Sequence, residues 1–184
     1  RVRYLAKQSL RVSLLFGLCA AGVLFAGADA LGELLYESPE AGAYLRLYAP
    51  LVPLLYMDAV VDAICKGMGQ QSANARYNVL TSFLDVTFLW VLLPRLGLGG
   101  YYFSFAITHL INFCLSLRRL IKVTEIRLEL GMPLRAAVCA IGAGLMTRLL
   151  PEYEGVMGAV FPAACYLLLL ILAWMVGCVV SRED

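Results

Sequence analysis

The feature that most constrains this fold is a series of long apolar runs, of which residues 156–180 are the clearest because they include no charged side chain. A helix needs about 20 predominantly apolar residues to cross the hydrocarbon core of a bilayer. Six segments approach or meet that length, namely residues 10–31, 43–65, 77–93, 100–117, 134–150 and 156–180. The sequence therefore predicts a chain that crosses the membrane six times.

The composition indicates that these spans are helices. Apolar residues make up 61% of the chain and charged residues only 15%, and the mean hydropathy is +0.79, which lies outside the usual range of soluble domains. A lipid-exposed backbone must satisfy its own hydrogen bonds, so a span is either a helix or part of a closed barrel. The runs lack the period-two alternation of barrel strands. We therefore predict an all-α integral membrane protein, with residues 1–184 as one polytopic domain of six transmembrane helices in three hairpins.

Turn-forming residues separate the predicted spans. They occur at residues 37–40, 67–75, 94–100, 131–133 and 151–152, where glycine, proline and polar residues cluster. Pro50 and Pro53 instead lie inside the second span, where proline removes a backbone donor and bends a helix. We expect a kink there that frees carbonyl groups toward a neighbouring helix or a cavity.

The positions of the basic residues predict the orientation of the chain. Lysine and arginine concentrate in cytoplasmic loops of membrane proteins. A cytoplasmic N-terminus leaves only Arg46, Arg95 and Arg148, of the 15 lysines and arginines, on the outer side. Both termini are therefore predicted to be cytoplasmic. A cleaved signal peptide ending at residues 28–30 fits less well, because its apolar region would be too long and five further spans follow.

Two acidic residues in the second span are candidates for function, because a charge inside the bilayer is energetically costly. Asp58 and Asp62 are one helical turn apart, and Lys66 continues the same face. We expect Lys66 to pair with Asp62, which leaves Asp58 as the deeper carboxylate, able to bind a cation or a proton. The alternative is that both acids line a hydrated inner mouth.

The third and fourth spans each carry a polar stripe. The stripe of the third span contains Asn78, Thr81, Ser82 and Asp85, and that of the fourth contains Ser104, Thr108, His109 and Asn112. A short connection makes these spans an antiparallel hairpin, so both stripes can lie at similar depth. A carboxylate with neutral oxygens nearby suits a monovalent cation at Asp85 or a proton relay. The alternative is hydrogen bonding that only holds the helices together.

Small residues at four-residue spacing predict close helix packing in two other spans. They are Gly22, Ala26 and Ala30 in the first span and Ala136, Ala140 and Gly144 in the fifth.

Other kinds of chemistry have weak support in the sequence. The six cysteines stand singly without a C-x-x-C pair, and the one histidine has no ligand partner at metal-site spacing. The glycine clusters at residues 67–69 and 97–100 lack the strand that precedes a nucleotide-binding loop. The net charge of +2 is too small to indicate nucleic acid. We therefore predict no enzyme, no metal site, no cofactor and no nucleic-acid partner.

Residues 54–123 resemble a known transporter family. The motifs are Tyr56-Met57-Asp58, the end of the second span at residues 64–71, the turn from Leu92-Leu93-Pro94 to Gly100, and a return helix with Asn112 and Arg118-Arg119. They resemble the polysaccharide and lipid-linked oligosaccharide flippases of the MATE-like superfamily, in the branch of stage V sporulation protein B and the lipid II flippases.

The resemblance implies two helical lobes around a central cavity in a bacterial plasma membrane. Alternating access would move a lipid-linked saccharide, such as a peptidoglycan or polysaccharide precursor, from the inner to the outer leaflet. This chain would be the C-terminal part and would work with an N-terminal lobe that it lacks. Sodium or a proton would drive transport, with Asp85 as the best candidate ligand. The acidic spans differ from a basic substrate cavity, so a cation-coupled multidrug exporter and a structural membrane subunit remain alternatives.

Overall fold

The computed structural model describes residues 2–126, 129–151 and 155–177, and it confirms the prediction of an all-α membrane protein. Within these ranges 91% of the residues are helical and there is no strand. The helices are α1 (Val2–Tyr36), α2 (Pro39–Tyr48), α3 (Val52–Gly67), α4 (Gln71–Leu96), α5 (Leu98–Thr124), α6 (Gly131–Thr147) and α7 (Gly155–Val176).

Each of the six predicted spans overlaps a helix or a helix pair, and six crossings of the membrane stay a prediction. Among the described residues, four segments are long and apolar enough to cross a membrane, namely Val2–Tyr36, Pro39–Gly67, Gln71–Leu96 and Gly155–Val176. The helix α6 is apolar but shorter, and α5 is long but outside this set because polar residues interrupt it. The end of the sixth predicted span, residues 178–180, lies outside the described residues. The chain is a multi-pass membrane protein.

Three of the prolines in the helical segments differ in their local effect. Pro50 lies in a 3-10 turn, Ala49–Leu51, which separates α2 from α3. This interruption agrees with the kink predicted inside the second span. Pro53 lies in the first turn of α3, where a missing backbone donor is harmless. Pro94 was expected to begin a loop, but α4 continues through it to Leu96. The helix ends there because Gly97 adopts a positive φ of 57°.

The described residues form two compact units. The first unit contains α1 up to Leu14, α3 from Leu54, and the helices α4 and α5. Its apolar core is formed by Leu10, Val61, Cys65 and Leu120. Only three residues, 68–70, connect α3 to α4, so the loop predicted at residues 67–75 is largely helical. A single residue, Gly97, connects α4 to α5, and these two helices pack against each other.

The second unit contains the rest of α1 with α2, α6 and α7. The predicted stripe of α6 is buried, and Tyr166 of α7 lies over Gly22 of α1, with its hydroxyl 3.0 Å from the Leu18 carbonyl oxygen. In α1 the stripe prediction is only partly right, because Ala26 and Ala30 are half-buried. Gly27 and Gly32 are buried instead, since α1 meets α7 near the first and α2 near the second.

Candidate functional site

A buried stripe along α5 organises the first unit. Its members recur every four residues and are all buried: Gly100, Ser104, Thr108, Asn112, Ser116, Leu120 and Thr124. A four-residue spacing keeps side chains on one face of a helix. The inward face of α5 is therefore small and polar over most of its length. Sequence reasoning missed Gly100 and Ser116, although continuing the four-residue spacing in both directions would have found them.

The carboxylate of Asp85 in α4 accepts hydrogen bonds from two hydroxyl groups of this stripe. Ser104 Oγ donates to Asp85 Oδ1 at 2.7 Å, and Thr108 Oγ1 lies 3.3 Å from the same oxygen. Thr108 Oγ1 also lies 2.9 Å from the Ser104 carbonyl oxygen and 3.2 Å from the Phe105 carbonyl oxygen, so its single proton has three possible acceptors. The carboxylate is half-buried at the junction of α4 and α5. One carboxylate and two hydroxyl oxygens are thus gathered at one point, and oxygens of this kind are the ligands that hard cations bind.

A cavity of about 180 Å³ opens beside this carboxylate. It is lined by Asn78, Thr81, Ser82, Asp85, Thr108, His109 and Asn112. Its volume has room for several water molecules, at about 30 Å³ each in the liquid. Every lining residue is polar, although the helices α4 and α5 are otherwise largely apolar.

Asp58 of α3 lies next to two of the residues that line the cavity. Its side chain is buried, and the amide of Asn112 donates to both of its carboxylate oxygens, at 3.2 and 3.1 Å. The Nδ1 atom of His109 is 3.6 Å from Asp58 Oδ2, and the imidazole packs at a tilt against the ring of Phe105. The helices α3 and α5 therefore meet at a buried carboxylate.

Asp62 stands apart from the cavity and is compensated locally. Lys66 Nζ lies 3.2 Å from Asp62 Oδ2, as the sequence predicts, and Asn74 Nδ2 donates to Asp62 Oδ1 at 2.8 Å. Asn74 is fully buried at the start of α4 and was not anticipated, because nothing in the sequence marks an asparagine in a short turn as a partner of Asp62. Asp62 therefore joins α3 to α4.

The structure thus brings most of the candidate residues together. Seven of the ten polar residues singled out in the second, third and fourth spans line the cavity, namely Asn78, Thr81, Ser82, Asp85, Thr108, His109 and Asn112. Asp58 contacts this set through Asn112 and His109, and Asp62 does not line it. The hydroxyl of Thr81 bonds to carbonyl oxygens of its own helix. A role for any of these residues in an ion or substrate pathway stays a prediction.

The chain is similar to stage V sporulation protein B of Bacillus subtilis (strain 168). The two are 26% identical over 98 residues, which is 53% of this chain and 19% of that protein. This similarity confirms the resemblance predicted from the motifs, and the matched stretch spans about a fifth of the relative. No family model matches the chain, and no solved structure matches it.

Proposed function

We propose that this chain is part of a flippase that moves a lipid-linked saccharide, such as a peptidoglycan or polysaccharide precursor, from the inner to the outer leaflet. The similarity to stage V sporulation protein B, together with the helical membrane fold, supports a transporter rather than an enzyme. In this proposal the chain works with an N-terminal lobe of the same protein, and both of its termini face the cytoplasm of a bacterial cell. The substrate binds between lobes that open alternately to each side.

One observation supports ion coupling in particular, which is the placement of Asp85 with the hydroxyls of Ser104 and Thr108 beside a polar cavity. A carboxylate inside a membrane-spanning helix is costly unless a cation or a hydrogen-bond donor compensates it. Two hydroxyl donors compensate it only in part, because each contributes a dipole and neither contributes a full charge. In the proposed cycle sodium completes the compensation.

The proposed coupling follows from this compensation. When sodium binds, Ser104 and Thr108 turn their lone pairs toward the ion, which links α5 to Asp85 on α4. When sodium leaves, the two hydroxyls again donate to the carboxylate. A ligand shifts a conformational equilibrium only by its difference in affinity between the two states. Sodium therefore drives transport to the extent that the outward-open and inward-open states hold α4 and α5 differently.

The test is translocation of lipid II or an undecaprenyl-linked saccharide by the intact protein in sealed vesicles, with and without a sodium gradient. We expect sodium-dependent transport by the wild type and a loss of about tenfold or more in Asp85→Asn, because the ion loses its only charged ligand at this position. Glu40→Gln is the control, since Glu40 is exposed at the start of α2. Unaltered, cation-independent transport by Asp85→Asn would remove Asp85 from the mechanism.

The same vesicles separate the flippase from the multidrug exporter. An exporter would exchange sodium or protons at Asp58 or Asp85 for organic cations, so it would move an organic cation and leave the lipid-linked saccharide in place. Transport of neither substrate would favour a structural membrane subunit.

A further inference from the structure

Two arginines of the second unit lie against one aromatic ring. The guanidinium carbon of Arg148 is 5.1 Å from the centre of the Phe25 ring, and that of Arg46 is 5.9 Å from the same centre. At such distances a cation is attracted to the face of an aromatic ring. Phe25 of α1 thus holds the charged ends of two side chains that come from different helices, α2 and α6.

Close helix packing brings both arginines to this ring. Gly42 of α2 is buried against α1, and a Cβ atom there would lie 2.9 Å from a backbone atom of that helix. Gly144 of α6 is buried beside Phe25, and a Cβ atom there would lie 3.9 Å from the ring. Arg46 and Arg148 each follow one of these glycines by four residues. Each arginine therefore continues the face of its helix that packs on α1.

The positive charge of this pair is only partly compensated among the described residues. Asp29 of α1 accepts a hydrogen bond from Nη2 of Arg46 and forms an ion pair with it. Nε of Arg46 is buried without an acceptor, so Asp29 does not satisfy the whole guanidinium group. No carboxylate in the described ranges forms an ion pair with Arg148. Two guanidinium groups that repel each other therefore share one carboxylate, which leaves a surplus of one positive charge.

The surroundings of Arg148 indicate what kind of anion can reach it. Arg148 is exposed at the end of α6, and the apolar residues Leu145 and Leu149 beside it are exposed as well. Exposed apolar side chains of a membrane helix contact lipid, and long basic side chains near a helix end extend toward the headgroups. Headgroup phosphates lie at this depth, and an arginine binds phosphate oxygens through two parallel N–H bonds. Other carboxylates are less well placed, because Glu33 is exposed on α1 and pairs with neither arginine, and Glu152 and Glu154 lie outside the described residues.

We propose that Arg46 and Arg148 bind the phosphodiester group of an anionic glycerophospholipid, with the Phe25 ring holding both guanidinium groups in place. The single negative charge of a phosphodiester matches the surplus of one positive charge. A diphosphate ester would bring more negative charge than the pair can compensate, and a zwitterionic headgroup would add an ammonium group that the arginines repel. The inference goes beyond the proposed function and does not depend on it, because a lipid bound here would stabilise the packing of α1, α2 and α6 whether or not the chain transports.

The test is native mass spectrometry of the intact protein, which counts bound lipids after co-purified lipid has been removed in detergent. Phosphatidylglycerol is titrated, and phosphatidylcholine with the same acyl chains is the comparison. We expect the wild type to bind its first phosphatidylglycerol about fivefold or more tightly than its first phosphatidylcholine. Arg148→Gln should weaken this binding about tenfold, because a charged donor to the phosphate is lost. The matched control is Arg95→Gln, since Arg95 is exposed on α4 and predicted on the same side of the membrane, and it should change binding by less than about twofold.

Two further variants separate a binding site from a purely structural contact. Asp29→Asn removes the carboxylate that competes with phosphate for Arg46, so phosphatidylglycerol should bind about threefold or more tightly. If Asp29 served only to hold α2 against α1, the same variant would weaken lipid binding, and that result would overturn the proposal. Phe25→Leu keeps an apolar side chain and removes the ring, so binding should weaken about threefold.

Separate samples with inorganic phosphate and with undecaprenyl diphosphate identify the source of the phosphate group. Displacement of phosphatidylglycerol by inorganic phosphate would overturn the assignment to a lipid. Tighter binding of undecaprenyl diphosphate than of phosphatidylglycerol, lost in Arg148→Gln, would overturn the assignment to a phosphodiester.

Equal losses in Arg148→Gln and Arg95→Gln would overturn the site itself, because any exposed arginine would then be sufficient. If Arg148→Gln does not fold, Arg148→Lys replaces it, and we expect a loss of about threefold because the charge is kept and the planar fork of donors is lost. Unchanged binding in Arg148→Lys and Phe25→Leu together would overturn the site in that case. None of these measurements uses sodium or transport, so the lipid site and the proposed function can fail separately.

Discussion

The side-chain amide of Asn112 donates to both carboxylate oxygens of Asp58, at 3.2 and 3.1 Å, across 54 residues of sequence. This contact joins α5 to α3, and Asn112 also lines the polar cavity. The same residue thus packs two helices together and takes part in the candidate site. Because a polar group in the membrane costs free energy when it is left alone, the contact has measurable consequences for both stability and ion binding.

Replacing Asn112 by alanine should destabilise the first unit. The substitution leaves a buried carboxylate without its amide donor, and hydrogen bonds between membrane helices contribute up to about 1.7 kcal/mol. We expect the free energy of unfolding, measured in mixed micelles with a denaturing detergent, to fall by about 1–2 kcal/mol. In a double-mutant cycle with Asp58→Asn, most of this loss should disappear, because the neutral amide no longer needs the same compensation.

The control for this cycle is Asn78→Ala. Asn78 lines the same cavity but is exposed on α4, so its loss should cost less than about 0.5 kcal/mol. An equal loss in the two variants would show that the contact with Asp58 contributes nothing beyond an ordinary polar side chain.

Gly100→Ala should force α5 away from α4. A Cβ atom at this position would lie 2.4 Å from the carbonyl oxygen and 2.7 Å from the carbonyl carbon of Leu92, and neither backbone atom can turn aside. We expect a destabilisation of about 1–3 kcal/mol in the same unfolding assay, together with weaker sodium binding, because Ser104 is one turn further along the displaced face.

The adjacent Gly99 is a matched control, since a Cβ atom there would meet nothing within 4 Å and the residue lies in the same helix. Gly99→Ala should leave stability unchanged or raise it by up to about 1 kcal/mol. If Gly99→Ala were as harmful as Gly100→Ala, the explanation from close backbone contact would be wrong.

Local contacts in the first unit could be predicted from the sequence. The pair of Asp62 and Lys66 follows from a one-turn spacing, which a helix alone determines. The meeting of Asp85 with Ser104 follows from a short connection between two helices, which leaves few registers for the hairpin. In both cases the geometry depends on the helical repeat and the loop length, and both can be read from the sequence.

Contacts between distant segments could not be predicted in the same way. Asn112 is opposite Asp58 only because α3 packs beside α5, and spacing within one helix carries no information about which helix lies alongside. We placed Pro94 in a loop because proline usually ends a helix. It lies two residues before the end of α4, however, and there the helix loses only one backbone hydrogen bond by including it. The predicted small-residue stripe of α1 was partly wrong for a related reason. The helices α7 and α2 contact α1 at different points along its length, and each buries a different face of it.

Tyr166→Phe should weaken the second unit by about 1 kcal/mol, because it removes the hydrogen bond from the buried hydroxyl to the Leu18 carbonyl oxygen while keeping the ring over Gly22. The measurement is the same denaturing-detergent titration. Tyr44→Phe is the control, since Tyr44 is exposed on α2, and it should change the free energy of unfolding by less than about 0.5 kcal/mol. Indistinguishable results for the two tyrosines would mean that the contact with Leu18 adds no stability.

Thr108→Val should weaken sodium binding by about fivefold, because valine keeps the shape of the side chain and removes the hydroxyl near Asp85. A fivefold loss of affinity corresponds to about 1 kcal/mol, which is the usual contribution of one hydrogen-bonding oxygen. Sodium-dependent thermal stabilisation of the purified protein measures this affinity. Thr87→Val is a close match for the chemistry of the change, since the Thr87 hydroxyl bonds to the Phe83 carbonyl oxygen on an exposed face of α4 and does not line the cavity. It should leave sodium affinity within about twofold of the wild type. If Thr108→Val bound sodium as well as Thr87→Val does, the hydroxyl would serve only to hold α5 against α4, and sodium coordination would have to be sought elsewhere around the cavity.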